Sequence, residues 1–373
     1  MNNFIPVSKP LITKKDIKLI NKSLIEGWIS SEGPNVKKFE KTFSKYIGKK
    51  YSTAVSSGTA ALEIAVKCLD LKKDDEIIVP NFTIISNALA VIKNNSKIKF
   101  VDCDLDNWNM NYEKLIKSIN HKTKAIIVTH IYNYPFRIDK LKKICSKKKI
   151  TIIEDAAEVL GQKLNNKKCG SFGHISVFSF YANKQITTGE GGMITTNIKK
   201  IFIKSNELRN LCFGKKDRFN HSGIGWNYRM TNLQATLGLS QMKRINNIVK
   251  ERQKIGSIYY KLLKNNKFLF IPKPKNLYSK NIYWVVAILI INKKKLTAKK
   301  VIQYLKKNNI DSRPFFWPMN KQNIFSNYNF FNSKKFPNSD YISKYGLYLP
   351  NYLGIDKKKI SLICKKLELI INS

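Results

Sequence analysis

The stretch "ITIIEDAAEVLGQKLNNKKCGSFGHISVFSFYANKQITTGEGGMITT", residues 150–196, contains three short apolar runs and one lysine set between an aromatic run and a glycine-rich turn. The runs "ITIIED" (150–155), "ISVFSF" (175–180) and "GGMITT" (191–196) are rich in β-branched and aromatic residues and are bounded by polar or glycine-rich segments. Their length and composition predict strands rather than helices. Asp155 closes the first strand, and Lys184 stands 184 − 155 = 29 residues later, after the next one.

Further runs of the same kind, "EIIVP" (76–80), "IKFVDC" (98–103) and "KAIIVTH" (124–130), precede this stretch. Helical patterns fall between them at 59–70, 83–93 and 136–148, and another follows at 231–264, kinked or divided near its middle. Alternating strands and helices predict an α/β fold with a mostly parallel sheet. A later block, "YWVVAILIIN" (283–292), "TAKKVIQYLKKNNI" (297–310), "RPFF" and a terminal helix at 356–371, reads as a smaller α+β domain. The expected division is a large domain over 1–245 and a small one over 246–373. In open α/β sheets ligands gather at the carboxyl ends of the strands, so the residues just after these runs are the candidates for chemistry.

Composition frames what that chemistry is. The chain has 373 residues, 43% of them hydrophobic, enough for real cores, and a formal charge of +43. Only seven of the 68 basic residues are arginine, and the lysines are spread along the whole chain. Phosphate and base readout favours arginine forks and concentrated patches, so the excess is read as solvated surface and no specific nucleic acid is expected as a partner. A basic nucleic-acid-binding or regulatory protein on the same fold is the alternative from another class. The six cysteines show no metal or redox spacing, and no metal site is expected. "MNNFIPVSKP" lacks an apolar signal region and "YWVVAILII" is too short to cross a bilayer, so a cytoplasmic protein with no membrane partner is expected.

A buried carboxylate at a strand end needs a cationic partner, although a plain N-cap for "AAEVLG" is an equal reading of Asp155 alone. An aspartate and a lysine presented together have a joint use. Pyridoxal phosphate needs a lysine to hold its aldehyde and an acid to keep its ring nitrogen protonated. "AVSSGTAALEIAV" (54–66) adds small hydroxyl residues and a glycine opening a helix, a favourable place for phosphate, with an ordinary cap by Ser57 or Thr59 as the simpler alternative. Ser179 can add a hydroxyl to the same phosphate, and Phe82 can stack on a cofactor ring.

In combination, "IPVSKPLIT", "GWISSEGPNVKKFE", "SSGTAALEIAV", "HIYNYPFRID", "IIEDAAEVLG", "FSFYANKQITTGEGGMI", "GWNYRMTNLQATLGLSQ", "RPFFWPM" and "YGLYLPN" cover nearly the whole chain. In these motifs the chain resembles the DegT/DnrJ/EryC1/StrS pyridoxal-phosphate sugar aminotransferases, of the fold type I, aspartate aminotransferase-like class. The resemblance implies a seven-stranded, mostly parallel sheet and pyridoxal 5'-phosphate carried on Lys184. It implies Asp155 at the pyridinium nitrogen, Glu158 near the phenolic oxygen and Phe82 over the ring. Ser57, Gly58, Thr59 and Ser179 would hold the phosphate, joined by Asn227 from a second subunit, which implies a homodimer with shared sites. The family subset that performs deoxygenation has histidine in place of the lysine, so Lys184 favours transamination.

The resemblance also implies L-glutamate as amino donor and a nucleotide-linked keto sugar as acceptor. "GWISSEGP" is similar to enzymes that aminate C4 of a 4-keto-6-deoxyhexose, and "RPFFWPM" is similar to perosamine synthases acting on GDP-4-keto-6-deoxy-D-mannose. Candidate substrate contacts are therefore Trp28, Ser30, Ser31, Arg229, Arg313 and Trp317, with dimer packing an equal reading for the two tryptophans. A UDP- or dTDP-linked 4-keto-6-deoxyglucose, giving a viosamine-type product, is the rival substrate. Tyr283 and Trp284 open an apolar strand and read as core. The pattern departs from many relatives at Asn133 and Tyr134, so no role is carried over to His130.

Overall fold

The computed structural model describes residues 4–372 apart from 133, 215–216, 293–294 and 327–334. In chain order the strands of its first part are β1 (Tyr51–Val55), β2 (Glu76–Pro80), β3 (Lys97–Val101), β4 (Thr123–Thr129) and β5 (Thr151–Asp155). A small hairpin, β6 (Lys163–Leu164) and β7 (Lys167–Lys168), leads to β8 (Ile175–Ser179) and β9 (Gly192–Thr196). Apart from the hairpin these form one seven-stranded sheet in the order β1-β9-β8-β5-β4-β2-β3. β9 runs antiparallel to β1 and β8, and all the other pairs are parallel. Helices cover both faces, which is why the central strands read as unbroken apolar runs rather than alternating ones.

Strand parity decides what faces the site. Successive side chains point to opposite faces of a sheet. Ile152 on β5 and Phe178 on β8 share a core with Phe39 and Phe43 of the helix Pro34–Ile47. Ile153, Ile175 and Val177 face the other core, with Ala61 and Ile64 of the helix Gly58–Lys67. Asp155 and Ser179 continue this second face to the strand ends, where the Gly58–Lys67 helix begins. Glu154 belongs to the first face and is held there by the N–H groups of Gly170, Phe172 and Gly173 at 2.5, 2.9 and 2.7 Å.

The helix read over 231–264 is divided into Asn232–Met242 and Ile245–Leu263. Thr231 and Gln234 form a capping box at the start of the first. The second joins two cores: Ile245 and Ile248 pack under the large sheet, while Ile255, Tyr259 and Leu263 pack with the second sheet. That sheet is antiparallel, with β10 (Leu269–Phe270), β11 (Val286–Ile290), β12 (Arg313–Pro314) and β13 (Gly346–Leu349) in the order β10-β11-β13-β12. Asp102, just past β3, ties the two parts together by accepting from Ser339 N and Oγ at 2.9 and 2.6 Å, at the start of the helix Pro337–Tyr345. Among the described residues no helix is long and apolar enough to cross a membrane, and all six cysteines are buried and unpaired.

Candidate active site

The carboxyl ends of β5 and β8, the start of the Gly58–Lys67 helix and the edge of the second sheet enclose a cavity of about 360 Å³. Its wall includes Ser57, Gly58, Thr59, Asp155, Glu158, Ser179 and Lys184. The structure thus brings together seven of the residues singled out in the sequence. Ser57 caps the helix by accepting from Ala60 N at 3.0 Å, and Thr59 Oγ1 lies 2.8 Å from Ser86 Oγ. A Cβ at Gly58 would fall 2.9 Å from Ser179 Cβ, so the absence of a side chain there lets the helix start approach the Lys184 loop.

Asp155 is buried, accepting from Asn87 Nδ2 at 2.9 Å and from Ala157 N at 3.1 Å. Burial raises its carboxyl above the ordinary aspartate range, against the pull of Asn87, Ala157 N–H and Lys184. Burial also raises Glu158, whose Oε2 accepts Tyr132 N–H at 2.5 Å. Lys184 is lowered below the ordinary lysine range by burial, which outweighs the opposing attraction of Glu158 and Asp155. Its Nζ sits 3.7 Å from the centroid of the Trp284 ring. Trp284 Nε1 donates to Asn183 O at 2.9 Å, bracing the turn that carries the lysine.

Sequence reasoning missed Trp284, which read as core. The ring is indeed almost fully buried, yet it lines the cavity. Phe316, Tyr348, Tyr181 and Ser86 also join the wall without having been singled out as contacts. Phe82 requires a correction. It is fully buried outside the cavity wall, against Tyr132, Phe315 and Phe316 at 6.1 Å, and Ile84 lines the cavity in its place. The reason is local. Asn81 anchors the bend after β2 by accepting Met319 N–H at 2.8 Å and donating Nδ2 to Asn320 at 2.8 Å. The following phenylalanine thereby drops into the aromatic cluster between the two sheets.

The other candidates lie elsewhere. Trp28, Ser31 and Arg229 line a second cavity, of about 640 Å³, with Arg209 and Lys37. Ser30 is exposed, and its carbonyl accepts Asn232 N–H at 2.8 Å. Asn227 is exposed and lies outside the Lys184 cavity of its own chain. Arg313 and Trp317 are exposed and line neither cavity; Arg313 pairs with Asp311 at 3.2 Å and stands opposite Tyr348 in the strand register. His130 donates or shares a proton with Glu154 at 3.0 Å and accepts Phe136 N–H at 3.0 Å, a structural tie on the far face of the sheet. Asn133 lies outside the described residues.

Comparison with known proteins agrees with this geometry. A family model described as the DegT/DnrJ/EryC1/StrS aminotransferase family matches residues 10–368. The GDP-perosamine synthase of Vibrio cholerae is 32% identical over 368 residues, covering 99% of each chain. That of Escherichia coli O157:H7 is 32% identical over 365 residues, covering 98% of each. Among solved structures, Helicobacter pylori PseC, an aminotransferase involved in pseudoaminic acid biosynthesis, superposes with a TM-score of 0.94 at 24% identity, over 99% of this chain and 100% of that one. Spr1654 from Streptococcus pneumoniae in its PLP form gives 0.92 at 23% identity over 99% of both.

The fold is that of these solved aminotransferases, fold type I, and the family match makes the chain a pyridoxal-phosphate-dependent transferase. The chain belongs to the DegT/DnrJ/EryC1/StrS family and is a sugar aminotransferase. The residues present fit the cofactor. Gly58 leaves a cradle that a Cβ would fill, and Asn183 Oδ1, in the cavity wall, is a buried acceptor without a partner among the described residues.

Proposed function

We propose that the chain moves an amino group from L-glutamate to C4 of GDP-4-keto-6-deoxy-D-mannose, giving GDP-perosamine. The observation that carries this reading is the full-length similarity to two GDP-perosamine synthases, each at 32% identity. Pyridoxal phosphate, when bound, supplies the electron sink that makes the substrate's carbon acidic. Lys184 would hold the cofactor, and its amine would accept and return the substrate's proton. Burial lowers its amine, so more of it is unprotonated and able to accept a proton near neutral pH. Asp155 would place its carboxylate at the ring nitrogen, with Asn87 fixing the carboxylate's direction. Glu158 would stand near the phenolic oxygen, Ile84 would cover the ring, and Ser57, Gly58, Thr59 and Ser179 would hold the phosphate.

The reading includes a homodimer in the cytoplasm, with residues 1–245 as the cofactor-bearing domain and 246–373 as the smaller one. Asn227, exposed and outside its own chain's cavity, reaches the phosphate of the other subunit. Trp28, Ser30, Ser31, Arg229, Arg313 and Trp317 meet the nucleotide sugar, the arginines through its pyrophosphate. The test offers glutamate with a panel of nucleotide keto sugars and identifies products by mass spectrometry. GDP-4-keto-6-deoxy-D-mannose gives the expected amino sugar; turnover of UDP- or dTDP-4-keto-6-deoxyglucose alone overturns the choice of substrate.

A further inference from the structure

Tyr132 is fully buried and has a φ of +54°, the left-handed region in which a bulky residue persists only when its surroundings hold it. Two hydrogen bonds do so from opposite sides. Its N–H donates to Glu158 Oε2 at 2.5 Å, and its hydroxyl accepts the N–H of Phe316 at 2.9 Å. Its ring lies 5.1 Å from that of Phe316, at 18° to it, and 4.5 Å from that of Phe315. Glu158 follows β5 of the large sheet, Phe316 follows β12 of the second sheet, and both line the Lys184 cavity. A single residue therefore links the two halves of the cavity wall.

We propose that Tyr132 is a positioning residue for the keto-sugar half of the reaction: its hydroxyl fixes the segment 313–317 against the part of the wall that carries Glu158. The inference rests on the reading above, which places Arg313 and Trp317 at the nucleotide sugar. The Tyr132 backbone N–H holds Glu158 without involving the hydroxyl, so the wall shared by both half-reactions stays in place when the hydroxyl is lost. The tyrosine ring supplies packing, and the hydroxyl supplies register. Loss of the hydroxyl leaves the Phe316 N–H without its acceptor and the segment free to shift.

Tyr132→Phe keeps the ring and the N–H to Glu158 and deletes only that acceptor. The two half-reactions are followed separately by the cofactor's absorbance, and amide hydrogen exchange is measured at Phe316. Losing one such bond corresponds to about a tenfold effect. Exchange at Phe316 and KM for the keto sugar should each rise about tenfold, while kcat and the rate with glutamate stay within about twofold. A purely structural role would slow both halves together. Equal losses in both halves, an unchanged sugar KM, or unchanged exchange at Phe316 would each overturn the proposal. If the wild type turns over no nucleotide keto sugar, the functional reading fails by itself, and exchange at Phe316 still decides whether Tyr132 holds the segment.

Discussion

Replacing Asn87 with alanine removes the side chain that donates to Asp155 Oδ2 at 2.9 Å. Asp155 is buried and keeps only the Ala157 N–H at 3.1 Å as a hydrogen-bond donor among the described contacts. A hydrogen bond to a charged group is worth about 1.5–3 kcal/mol, so the apoprotein at pH 7.5 should lose about 2 kcal/mol. Unfolding entropy of about 2.1 cal/mol/K per residue over 373 residues converts this to a fall in Tm of about 2–3 °C. The pH dependence has a defined sign. The folded pKa of Asp155 lies above the ordinary aspartate value of 3.8, so the folded state holds the proton more tightly and stability falls as pH rises through that window. Asn87→Ala raises the folded pKa further and deepens the fall. The gap between variant and wild type should therefore be widest near neutrality and shrink towards pH 4. In an Asp155→Asn background, where the bond joins neutral groups, Asn87→Ala should cost only about 1 kcal/mol. Thermal scans of the four apoproteins from pH 4 to 8 measure this. An equal cost in both backgrounds, or a gap independent of pH, would refute the assignment of Asn87 as the support of a buried anion.

Two further outcomes follow, one from Lys49 at the opposite edge of the large sheet and one from Trp284 in the cavity wall. Lys49 is buried, donates to Gly173 O at 2.7 Å, and has its amine lowered by burial to about 8. Its folded pKa lies below the ordinary lysine value of 10.5, so its burial costs most below pH 8 and the cost is relieved as pH rises towards 10.5; relative to Lys49→Met, wild type should gain roughly 3 kcal/mol across that range in denaturant titrations. Trp284→Phe keeps an aromatic face near Lys184 but loses the bond to Asn183 O, and should lower kcat about fivefold. Trp284→Leu, lacking the face as well, should lower it further, as read by steady-state kinetics.

The large sheet was legible because β2, β4 and β5 are buried on both faces, and such strands appear in sequence as continuous runs of Ile and Val. Asp155, Lys184 and the Ser57–Thr59 turn were legible for a related reason: Asp155 ends β5, Lys184 lies in the loop after β8 and the turn follows β1 and opens a helix, so all three fall at one edge of the sheet. Trp284 was not legible. Its neighbours form an apolar strand, and only the approach of the second sheet sets the indole against Lys184. Phe82 misled because a phenylalanine after a strand end suits a stacking role as well as a core one. The bend anchored by Asn81 decides between them, and that bend depends on Met319 and Asn320, far away in sequence. Tyr132 shows the same limit, since its left-handed φ is held by contacts with Glu158 and Phe316 rather than by its sequence neighbours.

The most direct test is the covalent link between cofactor and chain. Protein purified with pyridoxal phosphate should be coloured, and borohydride should bleach the colour and fix the cofactor to one peptide. Peptide mass spectrometry should place the added mass on Lys184, with none bound in Lys184→Ala. Cofactor mass on a different lysine, or a wild-type protein that stays colourless with pyridoxal phosphate supplied, would contradict the assignment.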